Sequence, residues 1–249
     1  MRIDYLGHAS VRIDLDGIRF LTDPALEPRM GPLRRLVAPI EARALEGVDA
    51  VVVSHLHLDH LDLATLRRLP EDVQLVVPRG AGAWLRNQGW TSVVELGLGE
   101  RTEVGGVGVR AVAARHGGYR PPRGPRAAAL GYVLEGRQTL YFAGDTGLYA
   151  GMREVAPEVD VALLPVGGWG PTIPKTTHLD PVRAAHAAAL VRPRIVVPIH
   201  WGTYWPAGLH RRLRADPADA PRRLVHAAAE LAPDSEVRPV AIGEPVDLA

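Results

Sequence analysis

The chain has 249 residues, of which 47% are hydrophobic and 23% charged, and this balance excludes a disordered or fibrous protein. A chain of this length buries roughly 70–75% of its unfolded surface, so it needs no cross-links to fold. Its formal net charge of +1 excludes a strong overall field for nucleic acid or anionic lipid. Cysteine is absent, which excludes disulfides, thiolate nucleophiles and sulfur-ligated metals, whereas ten histidines are available.

The first predicted elements are antiparallel strands. Residues 1–6 alternate in polarity like a strand. Residues 11–15 and 18–20 also alternate, and the Asp16-Gly17 pair between them is typical of a β-hairpin. Residues 24–47 follow with four prolines and no clean period, so we expect an irregular flap there with room for a short helix.

Strands and helices alternate along the rest of the chain. The hydrophobic runs predict strands at residues 48–53, 73–77, 107–113, 130–134, 139–143, 159–166 and 195–199. The helical spacings predict helices at residues 61–69, 80–88, 148–155, 181–190, 209–214 and 218–231. The hairpins at the start exclude a purely parallel doubly wound sheet, so the expected α/β (α+β) fold has two mixed sheets packed face to face with helices outside. No low-complexity linker divides residues 1–249, which are expected to form one domain.

The densest cluster of potential metal ligands follows the strand at 48–53, where the chain reads Ser-His-Leu-His-Leu-Asp-His. In an extended chain His55 and His57 point to the same side, so both imidazoles can bind one ion. Asp59 and His60 follow as the chain turns towards a helix and can face a second ion. Imidazole and carboxylate ligands suit zinc, iron or manganese.

Three further candidate ligands stand where other predicted strands end. His116 follows the strand at 107–113, and Asp145 lies in a Gly-Asp-Thr-Gly turn after the strand at 139–143. His200 follows the strand at 195–199. Functional groups concentrate at such strand ends. Each residue alone could be an ordinary loop residue, and their coincidence with the cluster favours a shared site.

In this order the residues resemble the metallo-β-lactamase superfamily of metal-dependent hydrolases. The resemblance implies a four-layer αββα sandwich with two metal ions at the edge between its sheets. It also implies a first ion on His55, His57 and His116, a second ion on Asp59, His60 and His200, and Asp145 bridging both.

Four flanking segments narrow the resemblance to one branch of the superfamily. That branch holds N-acyl-phosphatidylethanolamine-hydrolysing phospholipase D and the L-ascorbate-6-phosphate lactonases. The segments are Tyr-Leu-Gly-His-Ala-Ser at 5–10, Leu-Thr-Asp-Pro at 21–24, His-Leu-Asp-Pro at 178–181 and Pro-Ile-His-Trp-Gly-Thr at 198–203.

Three residues are candidates for supporting these ligands. Asp23 closes the hairpin strand and is expected to accept a hydrogen bond from a ligand imidazole, with a turn aspartate as the alternative. The resemblance places His8 near the metals, with a structural role as the alternative. It also places His178 on the substrate side, where it binds an anionic group or protonates the leaving oxygen; the alternative is a helix-entry residue. Asp59 and His178 are the candidate catalytic residues.

Arginines surround His116 in a loop rich in proline and glycine, at positions 115, 120, 123 and 126. Planar guanidinium groups suit phosphate or carboxylate, so we expect Arg120 and Arg123 to bind an anionic substrate. A solvated charged loop is the alternative.

These residues predict a metal-dependent hydrolase in which hydroxide held by two divalent ions attacks a phosphodiester, or a lactone or other ester, of a small anionic substrate. Zinc is the expected metal, with manganese or iron as alternatives. The competing hypotheses are a nucleic-acid-processing nuclease of the same fold and a non-catalytic or redox metal-binding module. The near-zero net charge argues against the nuclease.

The expected partner is a small-molecule substrate, with no nucleic acid. No apolar run approaches the roughly 20 residues of a membrane span, and the start of the chain shows no targeting segment, so we expect a cytoplasmic protein.

Overall fold

The computed structural model describes residues 1–167, 176–206 and 218–248, which contain seventeen strands and four α-helices. The first strands are β1 (Arg2–Gly7), β2 (Ser10–Leu15), β3 (Ile18–Thr22), β4 (Arg29–Met30), β5 (Leu33–Arg35), β6 (Ala50–Val52), β7 (Gln74–Pro78), β8 (Val93–Leu96) and β9 (Arg101–Val104). The others are β10 (Val107–Ala113), β11 (Leu130–Glu135), β12 (Thr139–Phe142), β13 (Val161–Pro165), β14 (Ile195–Ile199), β15 (Tyr204–Pro206), β16 (Glu236–Val237) and β17 (Pro245–Asp247). The helices are α1 (Leu63–Leu66), α2 (Gly82–Asn87), α3 (Pro181–Val191) and α4 (Asp219–Leu231).

Two mixed seven-stranded sheets make up most of the fold. The strand order is β17-β1-β2-β3-β6-β7-β8 in the first sheet and β16-β14-β13-β12-β11-β10-β9 in the second. Each sheet pairs antiparallel at one end and parallel at the other, through β3-β6-β7-β8 and β12-β13-β14-β16. A small third sheet joins β15 to β5 and β4.

The core has three apolar layers. The central layer lies between the two large sheets and contains Tyr5 and Phe20 of the first sheet with Tyr132 and Phe142 of the second. The outer face of the first sheet packs against α1 and α2, and that of the second against α3 and α4. The expected α/β class and αββα arrangement are therefore confirmed.

The site is placed by strand direction. β10 and β12 both run antiparallel to β11, so they share one direction, and β14 runs the same way through its parallel partner β13. β1 shares the direction of β3 in the first sheet, which β6 also follows. Because these strands end at the same edge of the sandwich, the residues that follow them meet there.

The predicted helix at 61–69 is shorter in the structure, and α1 covers only Leu63–Leu66. Leu61 lies outside the helix because the next residue, Asp62, has an extended backbone, with φ −99° and ψ 118°. Asp62 caps the helix by accepting hydrogen bonds from the N–H and hydroxyl of Thr65, both at 2.7 Å. The chain therefore keeps an irregular loop between β6 and α1.

The flap at 24–47 is more ordered than expected. It forms the β4–β5 hairpin and a 3₁₀ turn at Ala42–Leu45, and β5 pairs with β15 from the far end of the chain. The predicted helix at 148–155 is a 3₁₀ turn at Ala150–Glu154. The predicted helix at 209–214 lies outside the described residues. Among the described helices, none is long and apolar enough to cross a membrane.

Candidate metal centre

Three imidazole nitrogens converge at one point of the sheet edge. His57 Nδ1 lies 2.9 Å from His55 Nε2 and 3.2 Å from His116 Nε2. Two ligand atoms bound at 2.0–2.1 Å to a tetrahedral zinc ion are about 3.3 Å apart. The spacing of these nitrogens therefore fits one ion held by three imidazoles.

A second group forms around the Asp145 carboxylate. Its Oδ2 lies 3.3 Å from His60 Nε2, and its Oδ1 lies 3.3 Å from His200 Nε2. His116 Nε2 lies 3.9 Å from the same Oδ2, so Asp145 stands between the two groups. The structure thus brings all seven predicted ligands together, and His60, Asp59, His200 and His8 place one potential ligand atom each within 4.8 Å of one another.

Three of these atoms are buried and have no hydrogen-bond partner. They are His60 Nε2, His200 Nε2 and Asp145 Oδ1, among only seven such side-chain atoms in the described part of the chain. A buried polar atom without a partner costs free energy, and a bound cation removes that cost. The orphaned atoms, all nitrogen or carboxylate oxygen, therefore fit a divalent metal ion.

Three of the imidazoles are oriented by oxygen atoms that contact the ring nitrogen facing away from the cluster. His60 Nδ1 donates to Asp23 Oδ2 at 2.6 Å, and His55 Nδ1 donates to Ser54 Oγ at 2.9 Å. His116 Nδ1 donates to the Thr177 carbonyl at 3.0 Å. Each bond places a hydrogen on Nδ1 and leaves the lone pair of Nε2 directed at the centre.

The Asp23 carboxylate accepts three of the hydrogen bonds that surround the candidate ligands. Its Oδ1 accepts from the Ser54 N–H at 2.6 Å, and its Oδ2 accepts from the Ser54 hydroxyl at 2.5 Å as well as from His60. Asp23 follows β3 with a positive φ of 32°. The structure therefore brings Asp23 to a ligand imidazole, the position expected from the sequence.

His8 also lies at the cluster. Its Nε2 is 3.1 Å from Asp59 Oδ2, and its ring centroid is 3.8 Å from that of His200. The His200 N–H donates to the His8 carbonyl at 2.6 Å, and the His8 N–H donates to Thr203 Oγ1 at 2.7 Å. His8 and His200 both have positive φ, 57° and 61°, and these two hydrogen bonds hold their backbones in that conformation.

Burial and charge set the protonation of the ligands. Burial lowers the pKa of His55, His57 and His116 below 6.5 and that of His200 to about 3, so these imidazoles are neutral at pH 7. Burial also acts to lower the pKa of His60, but three carboxylates, led by that of Asp145, raise it well above 6.5. Burial alone would raise the pKa values of Asp59 and Asp145, and the surrounding imidazoles instead hold both well below 3.8.

The predicted substrate residues lie in different surroundings. His178 Nε2 is 3.7 Å from Asp145 Oδ2, and its ring packs edge-on against that of His116 with centroids 4.7 Å apart. Arg123 is exposed on the loop after β10. Arg120 is only 8% exposed, and its Nη1 donates to the carbonyls of Leu56 and Leu61.

Sequence reasoning missed Ser54 and Thr203, which orient the predicted residues without being ligands. Ser54 directly precedes the cluster, so its position offered a signal. Thr203 offered none, because its bond to His8 joins residues 195 positions apart.

The comparisons with known proteins agree with this geometry. Residues 18–201 match the model of the beta-lactamase superfamily domain, and the chain belongs to that family. Together, the fold and relatives define a metal-dependent hydrolase of the metallo-β-lactamase superfamily.

Individual relatives extend over most of the chain. The N-acyl-phosphatidylethanolamine-hydrolyzing phospholipase D 1 of Caenorhabditis elegans is 33% identical over 91% of this chain and 70% of its own. A metal-dependent hydrolase of Methanopyrus kandleri is 33% identical over 83% of this chain and 86% of its own. Other relatives at 33% identity are longer, and the chain spans 64% of their length.

Among solved structures, the metallo hydrolase Igni18 of Ignicoccus hospitalis superimposes with a TM-score of 0.76. It is 24% identical and covers 98% of this chain and 97% of its own. This similarity supports the fold.

Proposed function

We propose that residues 1–249 form a single-domain hydrolase that binds two divalent ions and cleaves a phosphodiester, or a lactone or other ester, in a small anionic substrate. The observation that carries the proposal is the position of Asp145. Its two carboxylate oxygens each lie 3.3 Å from a buried imidazole nitrogen, and it stands beside the separate group of His55, His57 and His116. One carboxylate between two sets of ligands is suited to bridging two cations.

The donor set favours zinc, with manganese and iron as the alternatives, because it contains only imidazole and carboxylate groups. Bound divalent ions supply a water of lowered pKa and polarise the oxygen under attack. The side chains of the protein supply the geometry: the imidazoles that are hydrogen-bonded through Nδ1 keep their Nε2 atoms in fixed positions. The burial of this edge limits the access of bulk water.

Two side chains are proposed to act on protons and substrate. Asp59 remains ionised and its side chain is 26% exposed, and His8 Nε2 lies 3.1 Å from its Oδ2 and holds it in place, so Asp59 can accept a hydrogen bond from the attacking water and orient it. The side chain of His178 is 20% exposed beside Asp145, where it can bind an anionic group or protonate the leaving oxygen. Arg123, exposed on the neighbouring loop, is proposed to attract the anionic group.

A phosphodiester is supported by the similarity to the nematode relative, which is a phospholipase D. The near-zero net charge supports a small substrate rather than a nucleic acid, and a small-molecule hydrolase of this kind suits the cytoplasm.

The proposal is tested by removing all metal, reloading with zinc, manganese or iron, and measuring metal content together with hydrolysis. The substrates are bis-p-nitrophenyl phosphate, a panel of lactones and an N-acyl phospholipid. We expect two ions per chain and hydrolysis of at least one substrate class, and we expect Asp145→Asn to lose both. Asp49→Asn is the control, because this exposed carboxylate only accepts from the Arg19 N–H. A protein that takes up no ion, or that hydrolyses nothing when loaded, would contradict the proposal.

A further inference from the structure

The loop between β6 and α1 carries four of the proposed ligands and has no regular structure of its own. Within it, the N–H groups of His60 and Leu61 both donate to the His57 carbonyl. The carbonyls of Leu56 and Leu61, which lie on either side of Asp59 and His60 in the sequence, accept instead from a side chain on another loop.

That side chain is Arg120. Its Nη1 donates to the Leu61 carbonyl at 2.7 Å and to the Leu56 carbonyl at 3.1 Å. Its guanidinium carbon lies 4.9 Å from the ring centroid of Trp84 on α2. One buried cation therefore ties two points of the ligand loop to a fixed aromatic face, through charge-assisted hydrogen bonds and a cation–π contact.

The local backbone explains why this arginine alone points inwards. The Arg120 N–H donates to the Pro125 carbonyl at 3.1 Å, and the Gly124 N–H donates to the Arg120 carbonyl at 2.8 Å. This tight turn buries Arg120 and leaves Arg123 and Arg126 exposed. Burying a guanidinium costs free energy unless it is hydrogen-bonded, and here the carbonyls of the ligand loop are its acceptors.

We propose that Arg120 is a positioning residue of the metal centre: it fixes the backbone of the ligand loop at Leu56 and Leu61 and so sets the places of Asp59 and His60. The inference rests on the proposed function, since it concerns how that centre is built. It gives Arg120 a role different from the substrate contact expected from its sequence position. A guanidinium held by two backbone carbonyls and a tryptophan ring acts on the substrate only through the ligands.

The test compares zinc affinity, measured by competition with a chromophoric chelator, and the visible spectrum of the cobalt-loaded protein. Arg120→Met keeps the apolar stem and removes every donor, and it should lower zinc affinity about 10–100-fold and change the cobalt spectrum. Arg120→Lys keeps a charged donor and should recover part of the loss. Arg67→Ala is the matched control, because Arg67 is exposed and its guanidinium carbon lies 5.7 Å from the Trp90 ring without contacting the ligand loop.

The outcomes separate the alternatives. Zinc affinity and a cobalt spectrum equal to those of the wild type in Arg120→Met, with only a raised KM for an anionic substrate, would overturn the inference in favour of substrate binding. If Arg120→Met does not fold, Arg120→Gln decides: its uncharged, shorter side chain cannot keep the charge-assisted bonds to both carbonyls, so a wild-type zinc affinity and cobalt spectrum in that variant overturn the inference. A wild-type protein that binds neither zinc nor manganese nor iron overturns the proposed function itself, which the variants alone cannot do.

Discussion

Asp23 and His60 form a completely buried pair, with 2.6 Å between Asp23 Oδ2 and His60 Nδ1 and neither side chain accessible to solvent. The pair joins the end of β3 to the ligand loop after β6, two neighbouring strands of the first sheet. Because the carboxylate accepts the hydrogen on Nδ1, the nitrogen of His60 that is directed at the centre is Nε2.

Asp23→Asn should therefore weaken metal binding about 10–100-fold without removing a ligand. The amide retains one oxygen for Ser54, but its NH₂ group faces His60 Nδ1 and favours the wrong tautomer. The measurement is zinc affinity by chelator competition. Asp49→Asn is the control, and an Asp23→Asn protein with wild-type affinity would show that the imidazole needs no orienting carboxylate.

Removal of the metal should lower thermal stability. A ligand that binds only the folded state contributes about 2.7 kcal/mol at one hundred times its Kd. For a chain of this length that corresponds to a rise of about 5–10 °C in Tm. Thermal scans with zinc, with excess chelator and with zinc restored should show this shift and its reversal, and Asp145→Asn should lose most of it. A Tm that does not respond to zinc would contradict the prediction.

The metal-free protein should become more stable as the pH rises from about 5.5 to 7. His55, His57, His116 and His200 have lowered pKa values, so below pH 6.5 the unfolded chain binds protons that the folded chain does not. His60 acts in the opposite direction, because its raised pKa contributes stability below pH 6.5 that is lost as the pH rises through its folded value. The buried carboxyl of Asp23, whose pKa burial also raises, acts in the same direction as His60, and four groups against two leave a positive slope.

Each net proton changes the free energy of unfolding by about 1.4 kcal/mol per pH unit. Urea unfolding in the presence of a chelator, at several pH values across this window, measures the slope. A flat profile, or higher stability at the acidic end, would contradict the assigned directions.

Gly7 should tolerate no side chain. Its φ is 110°, and a Cβ there would lie 2.8 Å from Thr203 Oγ1, which the His8 N–H holds in place. Gly7→Ala should therefore destabilise the fold by about 1–3 kcal/mol and also weaken metal binding, since the shift reaches His8.

Gly17→Ala separates the effect of backbone strain at a positive φ from the effect of the contact with Thr203. Gly17 has a φ of 86° with nothing within 4 Å of a built Cβ, so that variant reports the backbone strain alone. Urea unfolding and zinc affinity of both variants are the measurements. Equal losses of stability, or unchanged zinc affinity in Gly7→Ala, would mean that the contact with Thr203 does not position His8.

The clustering of the proposed ligands could be predicted from the sequence because they follow recognisable apolar strands, as His116 follows β10 and His200 follows β14. The contacts of Arg120 could not, since its burial depends on Trp84 and on carbonyls of a loop about sixty residues away in the sequence. A run of arginines in a proline-rich loop resembles a solvated surface until the turn that buries one of them is known. Helix α1 was overpredicted because the local periodicity of leucines does not reveal that Asp62 has an extended backbone, so that the helix begins only at Leu63.

The proposed ligands come from both sides of the sandwich, with His55, His57, Asp59 and His60 following a strand of the first sheet and His116, Asp145 and His200 following strands of the second. Ions held by both sets would add cross-links to two halves that are already joined by apolar packing and by hydrogen bonds such as that from the Leu130 N–H to the Ser54 carbonyl. Parting the halves would then require ligand bonds to break, so ion exchange and opening of the interior become a single kinetic event. The rate of zinc release would therefore report how often the two halves of the sandwich separate.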